Sequence, residues 1–239
     1  MKTDLDAIQR AKQNAAFEAV KHVKDGFVVG LGSGSTAAFA IEALGQRIKK
    51  EKIRIMGVPT SYQAFLLAIE CGIPITTLDE HPQVDVTIDG ADQATPELNL
   101  IKGMGAAMAR EKIVAAASKL NVIIADQQKK VEHLGENGQV VPIEVLPFAI
   151  SLVKQKIIDI GGKPTVREGK GKLGPTITDN GNAILDTFFG EIKNPAELAI
   201  KVKMIPGVVE TGFFIGLTDA VYIGSTDGTV EKIEKKNRK

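Results

Sequence analysis

The run Phe27-Val28-Val29-Gly30-Leu31-Gly32-Ser33-Gly34-Ser35-Thr36 sets the architecture. Phe27, Val28 and Val29 form a short, apolar, partly β-branched stretch that stops at Gly30, which predicts a buried strand. Past the glycines, Ala38, Ile41, Ala43, Leu44 and Ile48 recur at helical spacing, so strand, loop and helix follow one another. Upstream, Leu5, Ile8, Ala16, Ala19, Val20 and Val23 mark one face of a helix ending near Gly26. Downstream the alternation repeats: Ile53 to Val58 before a helical segment from Ser61 to Glu70, Ile75 to Leu78, Val84 to Ile88, and Val122 to Ala125 after a helix over 106–119. Strands alternating with helices imply a parallel sheet covered on both faces. The expected class is α/β, a Rossmann-like parallel sheet flanked by helices.

After Asp126 the rhythm loosens through Gly135-Glu136-Asn137-Gly138. Short strands are expected around Val140 to Val145, Thr165 to Arg167 and Ala183 to Phe188, with helices over Phe148 to Ile160 and from Asn194-Pro195-Ala196-Glu197. The last has a cap residue, proline at the first helical position and an acid in its first turn. This segment reads as a second, smaller α+β domain. The expected division is 1–133 plus 213–239 for the Rossmann-like domain and 134–212 for the small one. Strands at Val208-Val209-Glu210 and Ala220 to Ile223 can extend either sheet, and the charged stretch from Lys232 to Lys239 reads as a frayed tail. There is no internal repeat.

The chain has 239 residues, 44% of them hydrophobic, enough for one large core with a smaller satellite. Thirty basic residues against 29 acidic ones give a net charge of +1, which offers neither nucleic acid nor an anionic membrane an electrostatic footing. A small molecule is the expected partner. No apolar run approaches the roughly 18 to 20 residues that span a bilayer, and Met1 to Asp6 lacks the apolar core of a signal peptide, so the expected location is the cytoplasm. Cys71 is the single cysteine and reads as a packed thiol.

The Gly30–Thr36 loop lies between a strand and a helix, where unpaired backbone N–H groups and the helix dipole favour an anion. A dinucleotide fingerprint needs a further glycine and an acid after the next strand; here Thr36 is out of place and that strand ends Val58-Pro59-Thr60-Ser61. No Lys-Ser or Lys-Thr pair follows to reach a nucleotide's terminal phosphates. A cradle for a monophosphate or carboxylate remains, beside the plainer reading of a tight turn whose Ser35 or Thr36 caps the helix.

Asp89 sits at the carboxyl end of the Val84–Ile88 strand, where open parallel sheets bind their ligands, and Asp92 follows in a glycine-bearing turn. Two such carboxylates can share a proton, coordinate a metal, accept hydrogen bonds from a polyhydroxyl ligand, or simply shape the turn. His22, His81 and His133 are scattered, so no metal-ligand spacing accompanies them. Lys102-Gly103-Met104-Gly105-Ala106-Ala107 is a second glycine loop leading into a helix, and it places a cation where negative charge can be held. Glu111 follows about two turns into that helix; alone, it reads as a surface acid paired with Arg110 or Lys112.

Taken in order, Gly32 to Thr36, Asp89-Gly90-Ala91-Asp92, Lys102-Gly103 with its glycine loop, Arg110-Glu111-Lys112, Thr178 to Asn182 and Ile205 to Gly212 resemble ribose-5-phosphate isomerase of the A type. The resemblance spans nearly the whole chain. It implies interconversion of D-ribose 5-phosphate and D-ribulose 5-phosphate through a cis-enediol, in the non-oxidative pentose phosphate pathway, with no metal or organic cofactor. It further implies a homodimer or homotetramer.

By the same resemblance Ser33, Gly34, Ser35 and Thr36 hold the sugar phosphate. Asp89, Gly90, Ala91, Asp92, Lys102, Gly103, Met104 and Gly105 surround the sugar, while Lys12 and Lys129 reach towards it. Glu111 is the catalytic base, Lys102 the electrophile, and Asp89 and Asp92 serve the hydroxyls. Two positions depart from the family pattern: the loop normally reads Lys-Gly-Gly-Gly-Gly-Ala where this chain has Met104 and Ala106, and Gln93 replaces a usual Glu. Two other readings stand beside this one. A non-catalytic sugar-phosphate sensor domain would need no base, and ordinarily carries a helix-turn-helix for which the chain shows no spare N-terminal segment. An amino-sugar phosphate isomerase would release ammonia.

Overall fold

The protein's structure, a computed structural model, describes residues 2–169, 171 and 173–235. α1 (Lys2–Ala19) leads through a 3-10 turn at Val20–His22 into β1 (Val28–Leu31), α2 (Ser35–Glu51), β2 (Met56–Pro59) and α3 (Tyr62–Glu70). β3 (Val86–Gly90), β4 (Gln93–Ala94) and β5 (Leu100–Ile101) precede α4 (Met108–Ala116) and β6 (Asn121–Asp126). Then come β7 (Val141–Val145), α5 (Ile150–Asp159), β8 (Lys163–Val166), β9 (Ala183–Phe188), α6 (Pro195–Lys203) and β10 (Val208–Thr211). Three strands follow: β11 (Phe213–Phe214), β12 (Ala220–Gly224) and β13 (Val230–Glu234).

The main sheet has the order β13-β12-β6-β3-β1-β2, parallel throughout except for the antiparallel edge strand β13. Alternate side chains of one strand point to opposite faces, so a strand covered on both sides carries an unbroken apolar run. β6 does this: Val122 and Ile124 pack with Ala15, Ala19 and Leu44 of α1 and α2, and Ile123 and Ala125 pack with Leu100, Met108 and Phe214 behind the sheet. α1 lies so close to β12 that a Cβ on Gly224 would fall 1.9 Å from the Ala11 carbonyl oxygen. Only glycine permits that contact.

The chain leaves β1 for β2 on one side and returns to β3 on the other. This reversal opens a crevice at the carboxyl ends of β1 and β3, the point where α/β sheets take their ligands. A second, antiparallel sheet, β10-β7-β9-β8, supports α5 and α6 through Ile143, Val145, Leu185, Val153, Ile157 and Val202. A small third sheet, β11-β5-β4, pairs Phe213 with Ile101 beside the crevice.

The α/β class with a separate smaller sheet is therefore present, with local differences. Ile75 to Leu78 is not a strand: only Ile75 bridges Gly57, after which the chain turns away. The helix expected over 106–119 runs only over Met108–Ala116, because Gly103 and Ala106 adopt φ of 108° and 59°, which a right-handed helix cannot contain. Glu111 consequently stands in the first helical turn, not two turns in. α5 begins at Ile150, behind a 3-10 turn at Pro147–Ala149. Asn194 occupies the cap position of α6, yet its side chain makes no capping bond. Val230–Glu234, read partly as tail, is the edge strand β13, while 236–239 lie outside the described residues.

Candidate active site

The backbone after β1 is held against β3. Gly32 N–H donates to the Ile88 carbonyl at 3.0 Å and Ser33 N–H to Asp89 Oδ1 at 3.0 Å. A Cβ on Gly32 would lie 2.3 Å from Asp89 Oδ1 and 2.5 Å from Asp89 Cα, so this residue is glycine for want of space. Gly34, with φ of 96°, turns the chain into α2. The Ser33 hydroxyl meets Thr60 Oγ1 at 2.7 Å and Ser61 Oγ at 2.5 Å, and Gly34 N–H donates to Gln63 Oε1 at 2.8 Å. Lys12 reaches over from α1 to Ser35 Oγ at 3.2 Å. The result is a loop of amides and hydroxyls with a cation beside it at a helix N-terminus, a geometry built for an anion.

Gly32→Ala is expected to cost about 1–3 kcal/mol, because Asp89 backbone cannot yield as a flexible side chain would. Urea denaturation measures this, and an unchanged midpoint would contradict the close approach. The same variant is expected to bind inorganic phosphate more weakly, since Ser33 N–H moves with residue 32.

The opposite end of the crevice holds a buried ion cluster. Lys102, Asp89 and Glu111 are 3%, 2% and 5% exposed. Lys102 Nζ lies 3.0 Å from Asp89 Oδ2 and 3.3 Å from Glu111 Oε1, and also donates to the Gly90 carbonyl. Asp89 Oδ1 accepts from the amides of Ser33 and Gly90, so this carboxylate ties the anion loop to the lysine. Glu111 Oε2 is buried without a hydrogen-bond partner among the described residues. Burial, reinforced by the Asp89 carboxylate and opposed by Lys102, pushes the Glu111 carboxyl up to about 8. Burial alone would lower the Lys102 ammonium; Asp89 and Glu111 outweigh it and hold the lysine charged. Asp92 is raised by burial, against the Met104 N–H that it accepts at Oδ2, 3.0 Å away.

Between the two ends lies a cavity of about 260 Å³. It is lined by Lys12, Ser33, Gly34, Ser35, Thr36, Gly90, Ala91, Asp92, Lys102, Gly103, Gly105, Glu111 and Lys129, all singled out in the sequence. Lys129 arrives on the 3-10 turn at Gln127–Lys129, directly after β6. Asp89 and Met104 are not in the lining: Asp89 lies beneath it, and the half-exposed Met104 side chain turns towards Arg167. Gln93 is elsewhere, holding the loop around Gly135 and Glu136 through both ends of its amide.

The lining also includes Ser61 and Gln63, which the motifs did not supply, and Asp179, which lies in the Thr178 to Asn182 motif but was given no place in the site there. Ser61 and Gln63 follow β2, and parallel pairing of β1 with β2 brings their carboxyl ends to the same place; that adjacency is the signal that could have found them. Asp179 comes from the distant 178–182 turn and accepts from Tyr62 N–H at 2.8 Å. Arg110 holds the same turn, donating to Asn180 Oδ1 at 2.7 Å and the Asp179 carbonyl at 2.8 Å.

Chemically, the cavity offers an anion grip at one end and, at the other, a buried cation next to a high-pKa carboxyl with one uncommitted oxygen. Such a pair can move a proton at carbon while holding the charge that results. Residues 56–228 match the family pattern of ribose 5-phosphate isomerase A (phosphoriboisomerase A). Ribose-5-phosphate isomerase A of Methanosarcina acetivorans is 48% identical over 225 residues, covering 94% of each chain. That of Methanothermobacter thermautotrophicus is 46% identical over 94% of this chain and 98% of its own. Among solved structures, a D-ribose-5-phosphate isomerase in complex with phospho-erythronic acid superimposes with a TM-score of 0.92 at 44% identity, covering 95% of this chain and 99% of the other. Ribose 5-phosphate isomerase A of Methanocaldococcus jannaschii gives 0.90 at 44% identity, covering 94% and 98%.

Proposed function

The chain belongs to the ribose 5-phosphate isomerase A family, and on that premise we propose how its own residues divide the reaction. The protein is an aldose–ketose isomerase interconverting ribose 5-phosphate and ribulose 5-phosphate. The reaction takes a proton from C2 of the open-chain aldose, passes through a cis-enediol, and returns a proton to C1. Glu111 makes both transfers through Oε2. The observation that carries this assignment is that uncommitted oxygen, buried on a carboxyl whose other oxygen is fixed by Lys102.

Carbon acids are too weak to ionise unless the charge growing on the adjacent carbonyl oxygen is stabilised. When Glu111 accepts the proton its charge disappears, and the Lys102 ammonium is released to the oxyanion forming at the same moment. Gly105 N–H assists at the cavity wall. Asp92 holds a sugar hydroxyl, while Asp89 acts from beneath by fixing Lys102 and the Ser33 amide. Ser33 to Thr36, with Lys12 and Lys129, grip the phosphate, and this remote binding energy fixes C1 and C2 against Glu111. Phospho-erythronic acid, the ligand of the similar solved enzyme, carries a phosphate at one end and a carboxylate at the other. Those charges suit the two ends of this cavity.

A sensor domain would bind such a ligand without a buried base, so the Lys102–Glu111 pair favours catalysis. We also propose domain limits of 1–133 with 213–239 and 134–212, supported by β7 to β10 forming a sheet of their own. Assembly as a homodimer or homotetramer belongs to the same reading, supported by Ile200 and Met204, which are 66% and 75% exposed. No described helix is long and apolar enough to cross a membrane.

The test is incubation of the protein with ribose 5-phosphate in deuterated water, with a chelator present, across a range of pH. Ribulose 5-phosphate is expected, without ammonia and unaffected by the chelator. Because Glu111 must be ionised to take the proton and its carboxyl is raised to about 8, kcat/KM is expected to climb with pH through that value and fall on the acid side. A limb near the ordinary carboxylate range would contradict the raised carboxyl of Glu111, and a limb unchanged in position and height by Glu111→Gln would remove Glu111 from the role of base.

A further inference from the structure

Arg167 stands just past β8, on the smaller sheet, and no sequence motif pointed to it. Its guanidinium is held by Asp186: Nε donates to Oδ2 at 2.8 Å and Nη2 to Oδ1 at 2.5 Å, a two-pronged pair with the arginine side chain 12% exposed. The third nitrogen, Nη1, leaves the small sheet and donates to the Gly103 carbonyl at 2.9 Å and the Met104 carbonyl at 3.0 Å. Asp186 thus fixes the fork, and the fork fixes two successive peptides of the loop that carries Lys102.

In a trans peptide the C=O and the following N–H point in opposite directions. Drawing the Gly103 and Met104 carbonyls outwards to Arg167 therefore turns the N–H groups of Met104 and Gly105 inwards. The first consequence is visible, since Met104 N–H donates to Asp92 Oδ2 at 3.0 Å. The second is Gly105, which lines the cavity, has open space at its Cβ position, and whose N–H donates to none of the described residues. A donor aimed into a binding cavity with no partner is what an oxyanion requires. The charge of Arg167 also polarises both peptides in the favourable sense.

We infer that Arg167 is a positioning residue for the isomerisation: from the small sheet it aims the Gly105 N–H at the oxygen that becomes the enediolate, and the Met104 N–H at Asp92. This deepens the isomerase reading and rests on it. Arg167 is not among the residues that line the cavity; it acts through the two peptides. Lysine cannot replace it, having no planar fork to satisfy Asp186 and two carbonyls together.

Steady-state kinetics of Arg167→Met, Arg167→Lys and Asp186→Asn test the inference, with binding of inorganic phosphate and of phospho-erythronic acid measured on the same proteins. For Arg167→Met, kcat is expected to fall by about 10- to 100-fold, as for a misplaced donor, with KM within about threefold of wild type. Affinity for phospho-erythronic acid is expected to fall with kcat/KM, while that for inorganic phosphate stays unchanged. Arg167→Lys is expected to recover little, and Asp186→Asn to lose about three- to tenfold in kcat. Turnover of Arg167→Met within threefold of wild type overturns the inference. So does an equal loss of both affinities, which a merely collapsed loop would produce. If Arg167→Met does not fold, Asp186→Asn decides by the same criteria. A wild-type protein that forms no ribulose 5-phosphate sinks the isomerase reading itself, whereas active wild type beside equally active variants sinks only the role of Arg167.

Discussion

Glu111→Gln is expected to lower kcat by at least about 10²-fold while leaving the protein folded and able to bind phosphate. The amide keeps the shape of the carboxyl, and its oxygen can still accept from Lys102 at the 3.3 Å position of Oε1. What it loses is basicity at the buried second oxygen. Since that carboxyl is raised to about 8 by burial and by Asp89, much of the wild-type population carries a proton there near neutrality, and the neutral amide resembles it electrostatically. The expected stability change near pH 7 is therefore small. KM within a few-fold of wild type, affinity for phospho-erythronic acid retained, and no deuterium entering C2 of ribose 5-phosphate complete the prediction. A variant turning over within threefold of wild type would remove Glu111 from the mechanism.

Lys102→Met is expected to be worse, because it strikes both chemistry and fold. The ammonium is the counter-ion of Asp89 and Glu111, all three being almost wholly buried. Removing one partner of a buried ion cluster typically costs about 3–5 kcal/mol, since the remaining charge has neither water nor partner. A loss of kcat/KM of at least about 10³-fold is expected, combining the missing oxyanion donor with a Glu111 that now holds its proton more firmly. The sign of the pH dependence follows from linkage. Glu111 releases its proton at a higher pH when folded than when unfolded, so its contribution works against stability as pH rises from the ordinary carboxylate range towards the folded value. Without Lys102 that window extends further upwards, and the urea midpoint of the variant is expected to drop more steeply between pH 6 and 9 than that of wild type. Parallel curves would show that Lys102 is not the charge that keeps Glu111 titratable.

What could be read from the sequence was local or ordered along the chain. β1, β3 and β6 announced themselves as apolar runs because they are covered on both faces, and the loops after β1 and β3 carried their glycines and aspartates next to them. β13 was obscured because an edge strand keeps charge outwards: Glu231, Lys232 and Glu234 are exposed, and only Val230 and Ile233 look inwards. β4, β5 and β11 have two residues each, too short for any period to show. Arg167 was invisible for another reason. It lies in a segment without apolar rhythm and acts on carbonyls more than sixty positions earlier, a relation that only the packed small sheet creates. The shortening of α4 at Met108 had a visible cause in Gly103, but Ala106 with φ of 59° follows no residue preference.

The seating of the first helix on Gly224 bears on when the site can exist during folding. Lys12 follows Ala11, the residue whose carbonyl would strike any side chain at 224, so the cation beside the anion loop is aimed by a strand more than two hundred residues later. Loop closure over such a span is entropically slow relative to local pairing. A nascent chain that has already made α2 and β6 offers α1 the Leu44, Val122 and Ile124 part of its seat but still lacks the β12 face against which Ala11 closes, and ribosomes add only about 5–20 residues per second. The final seating of Lys12 beside the anion loop therefore waits for β12, a contact that joins segments more than two hundred residues apart.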